Sequence, residues 1–144
     1  MGPIRKLCRL SAADRALLGR ATLWLGATRI ALWLLPLRLV RRLLAWAARP
    51  NQPPRRTPTS PERIVWALSV ARRFVPHATC LSQALAAHAL LAQHGHRAEL
   101  RIGVSKSAAG RFLAHAWVES EGQILIGELR DLSRYAPLPL LPIP

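Results

Sequence analysis

The chain has 144 residues, 51% of them hydrophobic, and a formal net charge of +14. This length and apolar content exclude intrinsic disorder and are sufficient for one domain with its own core. The two cysteines are too few for a disulfide scaffold and lack metal-ligand spacing. We therefore expect a reducing, cytoplasmic compartment and no metal or cofactor.

The basic charge comes from 19 Arg and 2 Lys against 7 acidic residues. The arginines are spread along the chain and no RNA- or DNA-binding motif surrounds them, so we do not predict a nucleic-acid partner. An acidic peptide or protein partner fits the charge equally well.

Residues 1–48 are predicted to form an apolar, arginine-rich helical region. Ser11 with Asp14 indicates a helix start, and Pro36 must kink or restart that helix. The apolar face of the first piece repeats at helical spacing, through Leu17, Leu18, Ala21, Leu25, Thr28 and Leu32.

Residues 21–44 are apolar enough to raise the question of a membrane span. Arg29 and Arg38 interrupt them, and the longest uncharged runs are eight residues. A span needs roughly 18–20 apolar residues, so we do not predict one. Peripheral membrane contact through an Arg- and Trp-rich helix stays open, although a helix packed on the rest of the domain is the simpler interpretation.

Residues 49–60 are predicted to be a proline-rich linker, and residues 61–144 the core. Two capping arrangements are open for the next helix: Thr59 with Glu62 as a capping box, or Ser60 before Pro61 at the first helical position. The apolar face that follows consists of Ile64, Val65, Leu68 and Ala71.

The next unit is a helix from Cys80 to about Gln93, capped by Thr79 and stopped at His94-Gly95. Its predicted apolar stripe is Leu81, Ala84, Leu85, His88 and Leu91. Period-two alternation begins near Arg97, and further strands are predicted at residues 112–119 and 123–126, with a loop at 105–111 and an irregular tail at 137–144. Helices followed by a small antiparallel sheet predict an α+β domain.

Cys80 has the setting that best fits nucleophilic chemistry. At the first position of a helix, unpaired N–H groups and the positive end of the dipole favour a thiolate and can bind an oxyanion. His115, thirty-five residues later on a predicted strand, is the natural general base and acid. The alternative interpretations are a small buried cysteine and a hydrogen-bonded core histidine, and both stay open on these residues alone.

Strand parity and helix geometry limit which residues can act together with Cys80 and His115. His115 shares a face with Leu113 and Trp117, whereas Ala114, Ala116 and Val118 take the other. His88 lies about 12 Å along the helix from Cys80, so it cannot be the base. Cys8 has no comparable setting, and we interpret it as structural or incidental.

Four acids follow His115 along the chain. Glu119 shares its face but lies too far along the strand, and Glu121 falls in a turn. Glu128 can return beside His115 if the third strand pairs antiparallel with the second, and Asp131 is the fallback.

Three blocks, residues 78–87, 90–104 and 114–119, resemble in order the leader peptidases of lasso-peptide biosynthesis. These are the peptidase half of the microcin-processing type and belong to the transglutaminase-like superfamily, whose members use a Cys-His-Asp triad. The resemblance covers about residues 63–138. It implies a papain-like core in which the catalytic-cysteine helix packs on a small antiparallel sheet.

The resemblance also implies a function. Cys80 would attack the scissile carbonyl of a precursor peptide, and His115 would act as base and then acid. The acid of the family lies about a dozen residues after the histidine, where this chain has Gly127, so Glu128 beside it is the expected third member. An ATP-dependent, asparagine-synthetase-like cyclase would then close the macrolactam.

Residues 1–60 have the pattern of apolar helices and not of a small β-containing recognition module, so we expect a separate leader-recognition protein. Two other functions remain open. One is a non-catalytic transglutaminase-like module that binds a peptide or a membrane through its basic helices. The other is an acyl-transferring enzyme of the same fold, which would differ only in the acceptor of the acyl group.

Overall fold

The computed structural model describes residues 6, 8–47, 59–127 and 132–137, and these have the predicted α+β architecture. The helices are α1 (Ala12–Leu34), α2 (Leu37–Ala47), α3 (Pro61–Ala71) and α4 (Cys80–Gln93). The strands are β1 (Glu99–Lys106), β2 (Phe112–Ser120), β3 (Gln123–Ile126) and β4 (Ala136–Pro137), with a 3₁₀ turn at Leu132–Arg134. Positions 49–58 of the predicted linker, which was placed at residues 49–60, and the tail beyond 137 lie outside the described residues.

Local capping signals set where the helices begin. The Ser11 hydroxyl accepts a hydrogen bond from the Asp14 N–H at 3.1 Å, which confirms the predicted start of α1. At α3 the Ser60 hydroxyl accepts a hydrogen bond from the Arg63 N–H, and Pro61 lies in the first turn. Of the two capping arrangements that the sequence left open, the structure therefore has the one with Ser60 as the N-cap.

Helix α1 packs against α3 and α4 through the face that the sequence predicts. Five of its six predicted residues are buried: Leu17, Leu18, Ala21, Leu25 and Thr28. An Arg63–Asp14 ion pair ties the start of α1 to α3, and the hydrogen bonds from Arg63 and Ser11 lower the pKa of the Asp14 carboxyl. No helix in the described part of the chain is long and apolar enough to cross a membrane.

Helix α4 lies between the other helices and the sheet. Its buried residues surround the helix, and half of them are alanine: Ser82, Ala84, Leu85, Ala86, Ala87, Ala89, Leu90 and Leu91. The single apolar stripe predicted for this helix was narrower than the buried surface. A helix that is covered on several sides has no solvent-exposed face, so polar residues do not delimit its apolar face in the sequence. Small side chains allow the neighbouring elements to approach closely.

The sheet has the order β3-β2-β1-β4, and every pairing is antiparallel. The bounds of β3 match the prediction, and β1 continues two residues into the predicted loop. The return of β3 along β2 pairs Ile126 with Val118, so the next residue, Gly127, lies at the level of the middle of β2. Strand β4 was not predicted, since it has two residues and one is a proline at the sheet edge.

Candidate active site

Cys80 is the first residue of α4, and a reciprocal cap fixes the turn that carries it. The Ser82 N–H donates to Thr79 Oγ1 at 3.2 Å, and the Thr79 N–H donates to Ser82 Oγ at 2.8 Å. Ser82 is fully buried and takes the position that Glu or Gln usually holds in a capping box. Cys80 itself is a half-buried free thiol, at the end of the helix where unpaired N–H groups point outward.

The loop that leads into Cys80 is anchored to α1. His77 has a positive φ of 59°, and its carbonyl accepts a hydrogen bond from Arg29 Nε at 2.9 Å. An arginine that interrupts the apolar stretch of α1 therefore fixes backbone three residues before the thiol. This contact couples the N-terminal helix to the geometry of the cysteine turn.

His115 lies in the middle of β2 and is held by aromatic side chains. Its ring stacks against Trp117 with centroids 6.1 Å apart, and Tyr135 is tilted against it at 5.7 Å. Ala116 and Val118 belong to the hydrophobic core, so the predicted parity of the strand is confirmed.

The carbonyl oxygen of Gly127 is the hydrogen-bond partner of His115, 2.6 Å from Nε2. A carbonyl can only accept, so Nε2 carries the hydrogen, and Nδ1 of the neutral ring is left with its lone pair. The close approach requires glycine. A Cβ at position 127 would lie 2.8 Å from the Ala116 carbonyl oxygen and 2.8 Å from Trp117 Cβ, and φ is +89°.

Cys80 and His115 line the same cleft, which has a volume of about 280 Å³. The fold thus brings together two residues that are thirty-five positions apart in the sequence. The other residues of the cleft wall are Arg72, Gln83, Ala84, Ala116, Ile126 and Gly127.

Three functional groups of this cleft were not predicted. Gln83 lies one helical turn after Cys80, and this spacing could have placed it on the same side of α4 from the sequence. Its Nε2 donates a hydrogen bond to the Ala78 carbonyl at 3.2 Å. Arg72, at the end of α3, and the Gly127 carbonyl are brought in by tertiary structure, so no local pattern marks them.

The acids near His115 divide into two groups. Glu119 is occupied elsewhere, since it accepts from Trp117 Nε1 at 2.7 Å and pairs with Arg101 at 3.7 Å. Glu121 is in the β2–β3 turn, as predicted. Glu128 and Asp131 lie outside the described residues, so the third catalytic member stays a prediction. The antiparallel return of β3 on which that prediction depended is present.

Two further residues lie away from the cleft. His88 bonds through Nε2 to the Ala98 carbonyl at 3.1 Å, on the side of α4 that meets the start of β1, and burial lowers its pKa. Cys8 is exposed and precedes α1. Within residues 8–47, 59–127 and 132–137, no group of three or more His, Cys, Asp or Glu side chains is placed to hold a metal ion.

A cysteine at the N-terminus of a buried helix and a histidine from an antiparallel sheet line one cleft, an arrangement of the papain-like class of α+β folds. The chain matches the transglutaminase-like superfamily over residues 22–139, from within α1 to beyond β4, and it belongs to that superfamily. The superfamily includes cysteine peptidases. No curated protein and no solved structure matches the chain significantly.

Proposed function

We propose that this protein is a cysteine peptidase that removes the leader from a ribosomally made lasso-peptide precursor. The observation that carries the proposal is the shared cleft of Cys80 and His115, at a capped helix N-terminus, in a transglutaminase-like chain. The resemblance of the blocks around these two residues to leader peptidases supplies the substrate class.

In the proposed reaction, His115 Nδ1 takes the proton of the Cys80 thiol, and the resulting thiolate attacks the scissile carbonyl carbon to form a tetrahedral intermediate. His115 then protonates the leaving amine of the core peptide through Nδ1, and the leader remains bound to Cys80 as a thioester. A water molecule, deprotonated by the same nitrogen, attacks the thioester. The leader leaves as a carboxylate, and the thiol is regenerated.

The negative oxygen of the intermediate needs donors that are already in place. The backbone N–H of Cys80 at the start of α4 is one such donor. The Gln83 amide is our candidate for the second, because it lines the cleft and has two N–H groups, of which the Ala78 carbonyl uses one.

A cleft of about 280 Å³ is too small to bind a whole leader peptide, so the leader must be recognised elsewhere. We propose that a separate leader-recognition protein delivers the precursor, since α1 and α2 are helices that contact α4 and are not a β-containing recognition module. The released core would pass to an ATP-dependent cyclase. The positive charge of the chain suits an acidic leader.

Cleavage of a cognate precursor in the presence of its recognition protein tests the proposal. Wild type and Cys8→Ala should release leader and core at equal rates. Cys80→Ala should release neither, and His115→Ala should be slower by roughly 1,000-fold. Mass spectrometry of the leader separates hydrolysis, which adds water, from transfer to an amine. Full activity in Cys80→Ala, or binding of the precursor without cleavage by wild type, would contradict the peptidase proposal.

The acid can be tested with isosteric amides. We expect Glu128→Gln to lose more activity than Asp131→Asn, because residue 128 follows the Gly127 carbonyl that contacts His115. Both losses should be smaller than that of His115→Ala, since the Gly127 carbonyl still orients the ring. The reverse order of the two amides would reassign the acid to Asp131.

A further inference from the structure

Large apolar side chains are exposed mainly on the first two helices. Of the ten large hydrophobic residues that are exposed in the described part of the chain, seven lie on α1 and α2. They are Leu23, Ile30, Trp33, Leu34, Leu39, Leu43 and Trp46. Single exposed apolar residues are normal, but a concentration of this kind marks an interaction surface.

These residues form stripes on the outer sides of the two helices. Leu23, Ile30 and Leu34 are spaced seven and four apart on α1, opposite the face that packs in the core. Leu39, Leu43 and Trp46 have the spacing i, i+4, i+7 on α2. We call the seven exposed apolar residues, together with Arg38 and Arg42, the amphipathic surface.

The two tryptophans are among the most exposed residues of this surface. Trp33 is 78% exposed and Trp46 is 69% exposed, near the C-terminal end of each helix. Only the link Leu35–Pro36 separates the two helices along the chain. Indole rings of this kind favour the boundary between water and lipid, where an apolar ring and an N–H donor are both accommodated.

The charge beside the stripes has one sign. Arg38 and Arg42 are exposed, lie one turn apart on α2 and flank Leu39 and Leu43. Residues 15–61 contain nine arginines and no acidic residue. Asp14 is the only acidic residue among residues 8–47 and pairs with Arg63, so Arg38 and Arg42 have no carboxylate partner within these two helices. An amphipathic helix with Arg on one side and Trp and Leu on the other is typical of helices that lie in an anionic membrane interface.

We propose that the amphipathic surface binds the surface of an anionic lipid bilayer, with α2 lying in the plane of the interface. A lipid surface fits better than an acidic protein, because the only polar groups of the amphipathic surface are its two indoles and two arginines, and no side chain of the surface accepts a hydrogen bond. A protein partner would need such groups to set its register, whereas a bilayer needs only apolar area and positive charge. This proposal does not depend on peptidase activity.

Co-sedimentation of the full chain with lipid vesicles tests the proposal. Wild type should bind phosphatidylcholine vesicles that contain phosphatidylglycerol and should bind pure phosphatidylcholine much more weakly, and added salt should weaken the binding. Arg38→Gln/Arg42→Gln should lower the partition coefficient roughly 30-fold. Trp33→Gln/Trp46→Gln should lower it about tenfold or more.

Matched variants elsewhere on the surface control for charge and apolarity. Arg73→Gln/Arg97→Gln removes two exposed positive charges, and Phe112→Gln/Leu113→Gln removes two exposed apolar side chains. Both should bind vesicles as wild type does. If these control variants lose as much vesicle binding as the variants of the amphipathic surface, the binding comes from overall charge or nonspecific hydrophobic adsorption, and the proposal is overturned.

Binding of the same variants to the recognition protein, measured in place of vesicle binding, distinguishes a protein interface from a membrane surface. If the tryptophan variant loses binding to that protein while wild type fails to bind anionic vesicles, the amphipathic surface is a protein interface and the membrane proposal is wrong. Circular dichroism of each variant establishes that the fold is retained, as expected for exposed positions.

Discussion

Gly127 shows how a residue without a side chain can take part in a site. Its carbonyl accepts the hydrogen of His115 Nε2 at 2.6 Å, which fixes the tautomer and leaves Nδ1 with its lone pair. In the family that the sequence resembles, an acid is expected at this distance along the chain. At position 127 the neighbouring backbone excludes any side chain, so a carboxylate can reach His115 only from another position.

Gly127→Ala tests this contact. The new Cβ would overlap Ala116 and Trp117, so we expect the backbone to shift and the imidazole to lose its acceptor. The unfolding free energy should fall by about 1–3 kcal/mol, and precursor cleavage should slow roughly 100-fold.

Gly122→Ala is the matched control, because Gly122 also has a positive φ, of 78°, but has nothing within 4 Å of the new Cβ. It should lose stability through backbone strain and retain the cleavage rate. If Gly127→Ala cleaves as fast as Gly122→Ala, the carbonyl contact has no catalytic role.

At the scale of elements, α4 connects the site to the core. Its first turn carries Cys80, its middle is buried among the other helices and the sheet, and His88 ties it to the start of β1. Burial lowers the pKa of His88, the Ala98 carbonyl raises it by a smaller amount, and Arg41 adds a further lowering. His88 is therefore held neutral in the folded state to a lower pH than in the unfolded chain.

This difference predicts how stability depends on pH. Below the unfolded pKa of about 6.5, the unfolded chain binds a proton that folded His88 does not, so the unfolding free energy falls as the pH falls. Denaturant melts between about pH 7.5 and pH 5.5 should show a steeper loss for wild type than for His88→Gln. Parallel pH profiles for the two proteins would show that His88 does not contribute.

At the scale of the whole molecule, the sequence predicted what is set locally and missed what long-range packing sets. Ser11, Ser60 and Thr79 mark their helices because a cap acts within four residues. The core face of α1 and the bounds of β3 follow from periodicity. Two features depend on how the elements pack together, and no local window of sequence contains that information. They are the nearly complete burial of α4 and the presence of Gly127 and Arg72 in the same cleft as Cys80 and His115.

The alkylation rates of the two cysteines test the Cys80–His115 pair most directly, and they need neither substrate nor partner. With limiting iodoacetamide near neutral pH, peptide mapping should show Cys80 reacting faster than Cys8, although Cys8 is the more exposed thiol. His115→Ala should remove most of that excess and leave the Cys8 rate unchanged. Cys80 reacting no faster than Cys8 in wild type, or an unchanged Cys80 rate in His115→Ala, would contradict the account.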